Sequence, residues 1–145
     1  MQYPRDDNFV PITDRDGMIY SKTITFVAAT TGAVGPTTLF TVTGPCIVKV
    51  IGVCGVSLDS DGASTIEVGI AGSTPALIAQ TAYTGIDAGR FWIDNSSAIV
   101  ESDFTGKMIA LDIIQTIATE TLKAGAIAYY CYWRPMSPTS TIAVA

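Results

Sequence analysis

Apolar and polar positions alternate with a period of two along most of this chain, and Gly, Pro, Asp and Ser break the alternation at short intervals. Ser21–Ala28 places Ile24 and Phe26 on one face and Thr23 and Thr25 on the other. Thr30-Thr31-Gly32 and Gly35-Pro36 mark a loop, a strand follows over Thr37–Thr43, and Gly44-Pro45 marks the next turn. Cys46–Val56 is apolar on both faces except at Lys49, the pattern of a strand inside a sandwich or at a subunit contact. Asp59-Ser60-Asp61-Gly62 predicts a hairpin-type turn. Thr65–Ile70 then buries Ile66, Val68 and Ile70 and exposes Thr65 and Glu67.

The second half repeats the pattern. Leu77–Thr81 and Arg90–Ile93 are short strands joined through Gly85 and Gly89. Lys107–Ile117 carries Ile109, Leu111 and Ile113 on one face; its β-branched content predicts one long strand and not a helix. Ala126–Arg134 sets Ile127, Tyr129, Cys131 and Trp133 against Tyr130, Tyr132 and Arg134. About eight strands at this spacing predict an all-β fold over 18–136, a single antiparallel β-sandwich or jelly-roll-like barrel. A tail over 137–145, rich in Ser, Thr and Pro before a last apolar IAVA, is expected to be mobile or to add a strand to a neighbour.

Residues 1–17 break with all of this. Arg5, Asp6, Asp7, Asp14, Arg15 and Asp16 crowd a stretch in which Pro4 and Pro11 block a regular helix. Tyr3, Phe9, Val10 and Ile12 sit among those charges. Such a segment cannot bury enough apolar surface to fold alone, and a solvated linker has no need of its aromatic and aliphatic residues. The reading is an extended docking arm, with Tyr3, Phe9 and Ile12 as apolar anchors and Arg5 and Arg15 facing acidic groups on a partner.

Composition sharpens the picture of that partner. Charged residues make up 14% of the 145 residues, against roughly 25% in ordinary domains. Six of the charges lie in the arm, so the body is poorer still and is expected to hide outer surface in an oligomer or larger assembly. The net charge of −5 and the scattering of the basic residues from Arg5 to Arg134 speak against nucleic acid. No apolar run reaches the ~18–20 residues of a membrane span. No secretory pattern opens the chain, which is expected to be made in a cytoplasm. Cys46, Cys54 and Cys131 are then expected as free, buried thiols, Cys46 and Cys54 lying too far apart in one strand to pair.

Candidate chemistry is sparse. Without histidine there is no Ser-His-Asp or Cys-His constellation and no histidine-based metal centre. No Gly-rich phosphate cradle precedes a helix. Asp59 and Asp61 lack the later ligands and closing Glu of a calcium loop. Asp87, Asp94, Glu101 and Asp103 read as solvated loop acids and not as a hydrolytic pair. Asn95-Ser96-Ser97 is a formal glycosylation sequon without an export context. No catalytic residue, cofactor or metal is expected, and the chain is not expected to be an enzyme. The aromatic residues Phe91-Trp92, Tyr129, Tyr130, Tyr132 and Trp133 read as core and interface packing, with Trp92, Tyr130, Tyr132 and Trp133 the candidates for an interface; a sugar-stacking platform is the alternative.

Four segments carry a family resemblance: Ala76-Leu-Ile-Ala-Gln80, Ile86-Asp87-Ala88-Gly89, Trp92-Ile-Asp-Asn95 and Tyr129-Tyr-Cys-Tyr-Trp-Arg-Pro-Met136. Over roughly Thr23 to Pro138 the chain resembles small structural proteins of tailed bacteriophages, and most of all the capsid decoration, or cement, proteins. The resemblance implies a homotrimer bound to the major capsid protein on the outer surface of the virion, after synthesis in the host cytoplasm. Such a protein bridges capsomers and has no nucleic-acid or membrane partner. A tail or head-fibre protein with a receptor- or carbohydrate-binding sandwich is the alternative.

Overall fold

A computed structural model describes residues 18–93 and 106–145. The described residues form strands β1 (Met18–Thr25), β2 (Gly35–Thr43), β3 (Cys46–Asp59), β4 (Thr65–Ile70), β5 (Ser73–Ala82), β6 (Phe91–Trp92), β7 (Lys107–Ile109), β8 (Ile113–Ala118), β9 (Ala124–Pro135) and β10 (Thr141–Val144). They sort into two five-stranded sheets, with all pairings antiparallel. The first runs β1-β9-β3, with β7 and β6 both along the far side of β3. The second runs β10-β2-β8-β4-β5. The fold is an all-β sandwich, as the alternation predicts.

Period two decides what lies between the sheets. In β3 the inward positions are Cys46, Val48, Val50 and Cys54; in β9 they are Ile127, Tyr129, Cys131 and Trp133. Opposite them stand Phe40 of β2, Ile66 and Val68 of β4, and Ile113 and Ile117 of β8. Among the described strands, β4–β5 and β6–β7 are the successive pairs that share a sheet; the other connections cross between sheets.

Both open sides of the sandwich are fastened by side chains. Lys22 Nζ donates to the Thr38 carbonyl at 2.9 Å and to an oxygen of Ala145 at 2.7 Å, joining β1 to the β2–β10 side. On the far side Lys107 Nζ donates to the Ala76 carbonyl at 2.5 Å, and Trp92 Nε1 to Thr81 Oγ1 at 3.0 Å.

Five expectations change. The run Lys107–Ile117 is two strands in different sheets, because it breaks at Ala110–Asp112, where Leu111 is 49% exposed and Asp112 Oδ1 accepts the Val42 N–H at 2.8 Å. The tail forms β10 on its own chain, with Ile142 filling the core opposite Val42. Asp59-Ser60-Asp61-Gly62 crosses between sheets and makes no hairpin; Ser60 Oγ donates to the Thr121 carbonyl at 2.7 Å, and Asp61 pairs with Lys123. Glu67 is buried, on a strand that lies inside its sheet between β5 and β8 and not at an edge. The first strand begins at Met18 and ends at Thr25, earlier than the alternation suggests.

Candidate functional site: the outer face of the first sheet

The same alternation that fills the core leaves an apolar set pointing away from it. Tyr130 and Tyr132 occupy the outward positions of β9, between buried Tyr129, Cys131 and Trp133. Register sets Ile19 and Lys49 on either side of Tyr132, and Ser21 and Ile51 on either side of Tyr130. One row on, Ala128 lies between Thr23 and Val53, and Val53 faces Phe91 of β6. At the other end Ile47 stands between Arg134 and Met108. Phe91 is 73% exposed and Met108 70%, so neither large side chain finds cover among the described residues.

Ile51, Val53, Phe91, Tyr130 and Tyr132 line an open depression of about 350 Å³ at the middle of this face. Among the outward side chains of the paired strands, the charged ones are the cationic Lys49 and Arg134 at one end and the acidic Asp59 at the far end of β3. Each of the two cations also takes part in an interaction within the chain. The surface therefore offers aromatic and aliphatic area with two cations at one end and a carboxylate at the other. That arrangement supports desolvating contact with an apolar or acidic partner.

The interface candidates separate into two pairs. Tyr130 and Tyr132 are on this face, whereas Trp92 and Trp133 turn into the core, 5% and 6% exposed. Gly52 permits the inward Trp92, since a Cβ there would stand 3.0 Å from the ring carbon Cε3. Tyr20 stacks against Trp133 with centroids 6.1 Å apart and planes at 21°, and Tyr129 meets Trp92 edge-on at 6.2 Å. Neither tryptophan presents a ring for stacking on a sugar. The arm residues Tyr3, Arg5, Phe9, Ile12 and Arg15 lie outside the described residues, as do Asp94, Glu101, Asp103 and the sequon.

Reactive groups are placed where they are unreactive. Cys46, Cys54 and Cys131 are free and buried. Burial raises all three thiols, helped at Cys54 by the charge of Asp87 and at Cys131 by Cys46, and Cys131 is pushed up to about 12. None is a thiolate near neutral pH, so none is a ready nucleophile. Asp87 sits in a loose surface pair with Arg90 at 3.9 Å. Among the described residues no three His, Cys, Asp or Glu side chains gather as a metal site.

Ile19, Ile51, Val53 and Met108 were not singled out by reading the chain for function, because nothing local distinguishes them. They become a surface only when pairing register sets them beside Tyr130, Tyr132 and Phe91. The one available signal was the two-sided apolar run of Cys46–Val56, which suits a covered outer face as well as a core strand. No family model, no curated protein and no solved structure matches the chain.

Proposed function

We propose that this chain is a structural protein of a tailed-bacteriophage particle, binding the outer surface of the shell as a trimer and bridging neighbouring subunits of the major capsid protein. The observation that carries the reading is the outer face of the first sheet. Covering side chains such as Phe91, Met108 and Tyr132 is worth ~1.5–3 kcal/mol for each one fully buried. Surfaces of this kind mark protein contacts. The low charge of the body and the resemblance of its segments to phage decoration proteins point the same way. Stabilisation of the shell would follow from mass action: a protein that binds the expanded lattice and not its dissociated subunits shifts the balance toward the lattice. A trimer adds its individually weak contacts through multivalency.

The test is pelleting with expanded shells that lack this chain, alongside light scattering of the free protein. Saturable co-pelleting in multiples of three, and delayed thermal rupture of the shells, are the expected results. A chain that stays in the supernatant at every concentration and scatters as a monomer ends this proposal. Retention on immobilised glycans in that case selects the tail- or head-fibre alternative.

A further inference from the structure

The outward row of β9 divides the face into two unlike halves. It begins Ala124, Ala126, Ala128 and ends Tyr130, Tyr132, Arg134. We propose that two free copies of this chain pair through this face about a two-fold axis that crosses the strands, so that the bulky half of each copy lies on the alanine half of the other. The proposal goes beyond the shell reading, since it concerns the chain before docking; the grouping in threes belongs to the bound state.

Three observations select this arrangement. The first is bulk. A two-fold near Ala128 turns the row end for end, setting Tyr132 over Ala124 of the second copy and Tyr130 over its Ala126. An isologous contact makes each such match twice. The second is charge. Lys49 stands in the row of Tyr132 and Asp59 in the row of Ala124. The turn that matches bulk therefore brings Lys49, with Arg134 beside it, over Asp59 of the second copy. Lys123 near Asp59 also lies under the charges of Asp61 and Glu120; three carboxylates against one ammonium keep that end acidic. Asp87 and Arg90, just ahead of β6, offset one another. A two-fold along the strands instead sets cations on cations and alanines on alanines, and loses on both counts.

The third observation is area. The face is four strands across, β1-β9-β3-β6, and β9 runs from Ala124 to Arg134 along it. Strand spacing and rise then give a footprint of roughly 700 Å², close to the ~800 Å² that each partner contributes to a stable interface. Phe91 stands in the row of Val53 and Ala128, beside the axis, where it meets Phe91 of the second copy. Pairing and shell docking through one face exclude each other, so the pair must part on the way to a shell.

The experiment uses the isolated full chain, so its outcome is independent of shell binding. Sedimentation velocity from micromolar to submillimolar concentration is expected to show a monomer–dimer equilibrium. Monomer throughout, or a trimer in place of the dimer, overturns the proposal; pelleting with shells still decides the shell reading separately. Lys49→Glu puts acid at both ends of the face and Asp59→Lys puts base at both. Each alone is expected to raise the dissociation constant roughly tenfold or more. An equimolar mixture of the two variants restores opposite charges at both ends of a mixed pair, and is expected to recover a dimer about as tight as that of the unaltered chain. A mixture no tighter than its parts overturns the two-fold arrangement. Phe91→Asp sets two carboxylates beside the axis at a position exposed in the single chain. It is expected to leave a monomer with unchanged circular dichroism. A dimer undiminished by Phe91→Asp moves the contact off this face and overturns the proposal too.

Discussion

The most demanding residue in the core is polar. Gln115 of β8 is fully buried, and its Oε1 accepts from Tyr129 Oη at 2.6 Å, a bond that joins the two sheets through their interior. Its Nε2 finds no partner among the described residues, so the pair is only half satisfied there. Tyr129→Phe strips Oε1 as well and is expected to cost about 1–3 kcal/mol in denaturant unfolding. Adding Gln115→Leu removes both polar groups and should recover most of that loss; a double variant as unstable as the sum of the singles contradicts this account. The thiols make a second expectation at this scale. Cys131 is raised to about 12, and Cys46, Cys54 and Tyr129 are raised too, all chiefly by burial. The unfolded thiols lose protons near pH 9 while the folded ones keep them. Stability is then full below pH 9 and falls as pH climbs toward 12. Unfolding midpoints measured from pH 8 to 11 should decline, and Cys131→Ala should flatten the decline.

Elements were legible where alternation was clean and hidden where geometry, not pattern, decided. Thr65–Ile70 has the same bounds in sequence and structure, and Ile66 and Val68 are buried as the alternation predicts, although Glu67 is buried with them. Lys107–Ile117 does not, because alternation of side chains carries no information on which sheet a strand joins, and the break at Ala110–Asp112 depends on a hydrogen bond to distant Val42. β5 begins at Ser73, ahead of Pro75, which an edge strand tolerates and a central one does not. Gly69 is the most constrained point in this region. It lies where β4–β5 register shifts, and a Cβ there would stand 2.3 Å from the Ser73 carbonyl oxygen and 2.4 Å from that of Thr74. Backbone must move to admit any side chain, so Gly69→Ala is expected to cost roughly 1–3 kcal/mol. Thermal unfolding checks it; an unchanged midpoint means the β4–β5 approach is looser than described.

On the scale of the whole molecule, the described residues close the sandwich between them, and the closure depends on the last strand. The anchors that join its open sides, Lys22, Trp92 and Lys107, all belong to the described body. Ile142 of β10 is 3% exposed in the core, and Lys22 bonds to Ala145 just beyond it. Sequence hid this inequality: the charged arm stood out, while the short apolar IAVA resembled an afterthought. It also hid the candidate face, whose members come from five strands and meet only through register. The two ends are therefore expected to respond oppositely. Removing residues 1–17 should leave a single cooperative transition with its midpoint nearly unmoved, since residues 18–93 and 106–145 alone supply the ten strands of the two described sheets. Ile142→Ala empties a core position and should cost ~2–5 kcal/mol, or roughly 5–15 °C in midpoint for a chain of this size. Calorimetry of the two variants side by side is decisive. If losing residues 1–17 destabilises the body more than Ile142→Ala does, the arm is part of the folding unit and its reading as a separate docking segment is wrong.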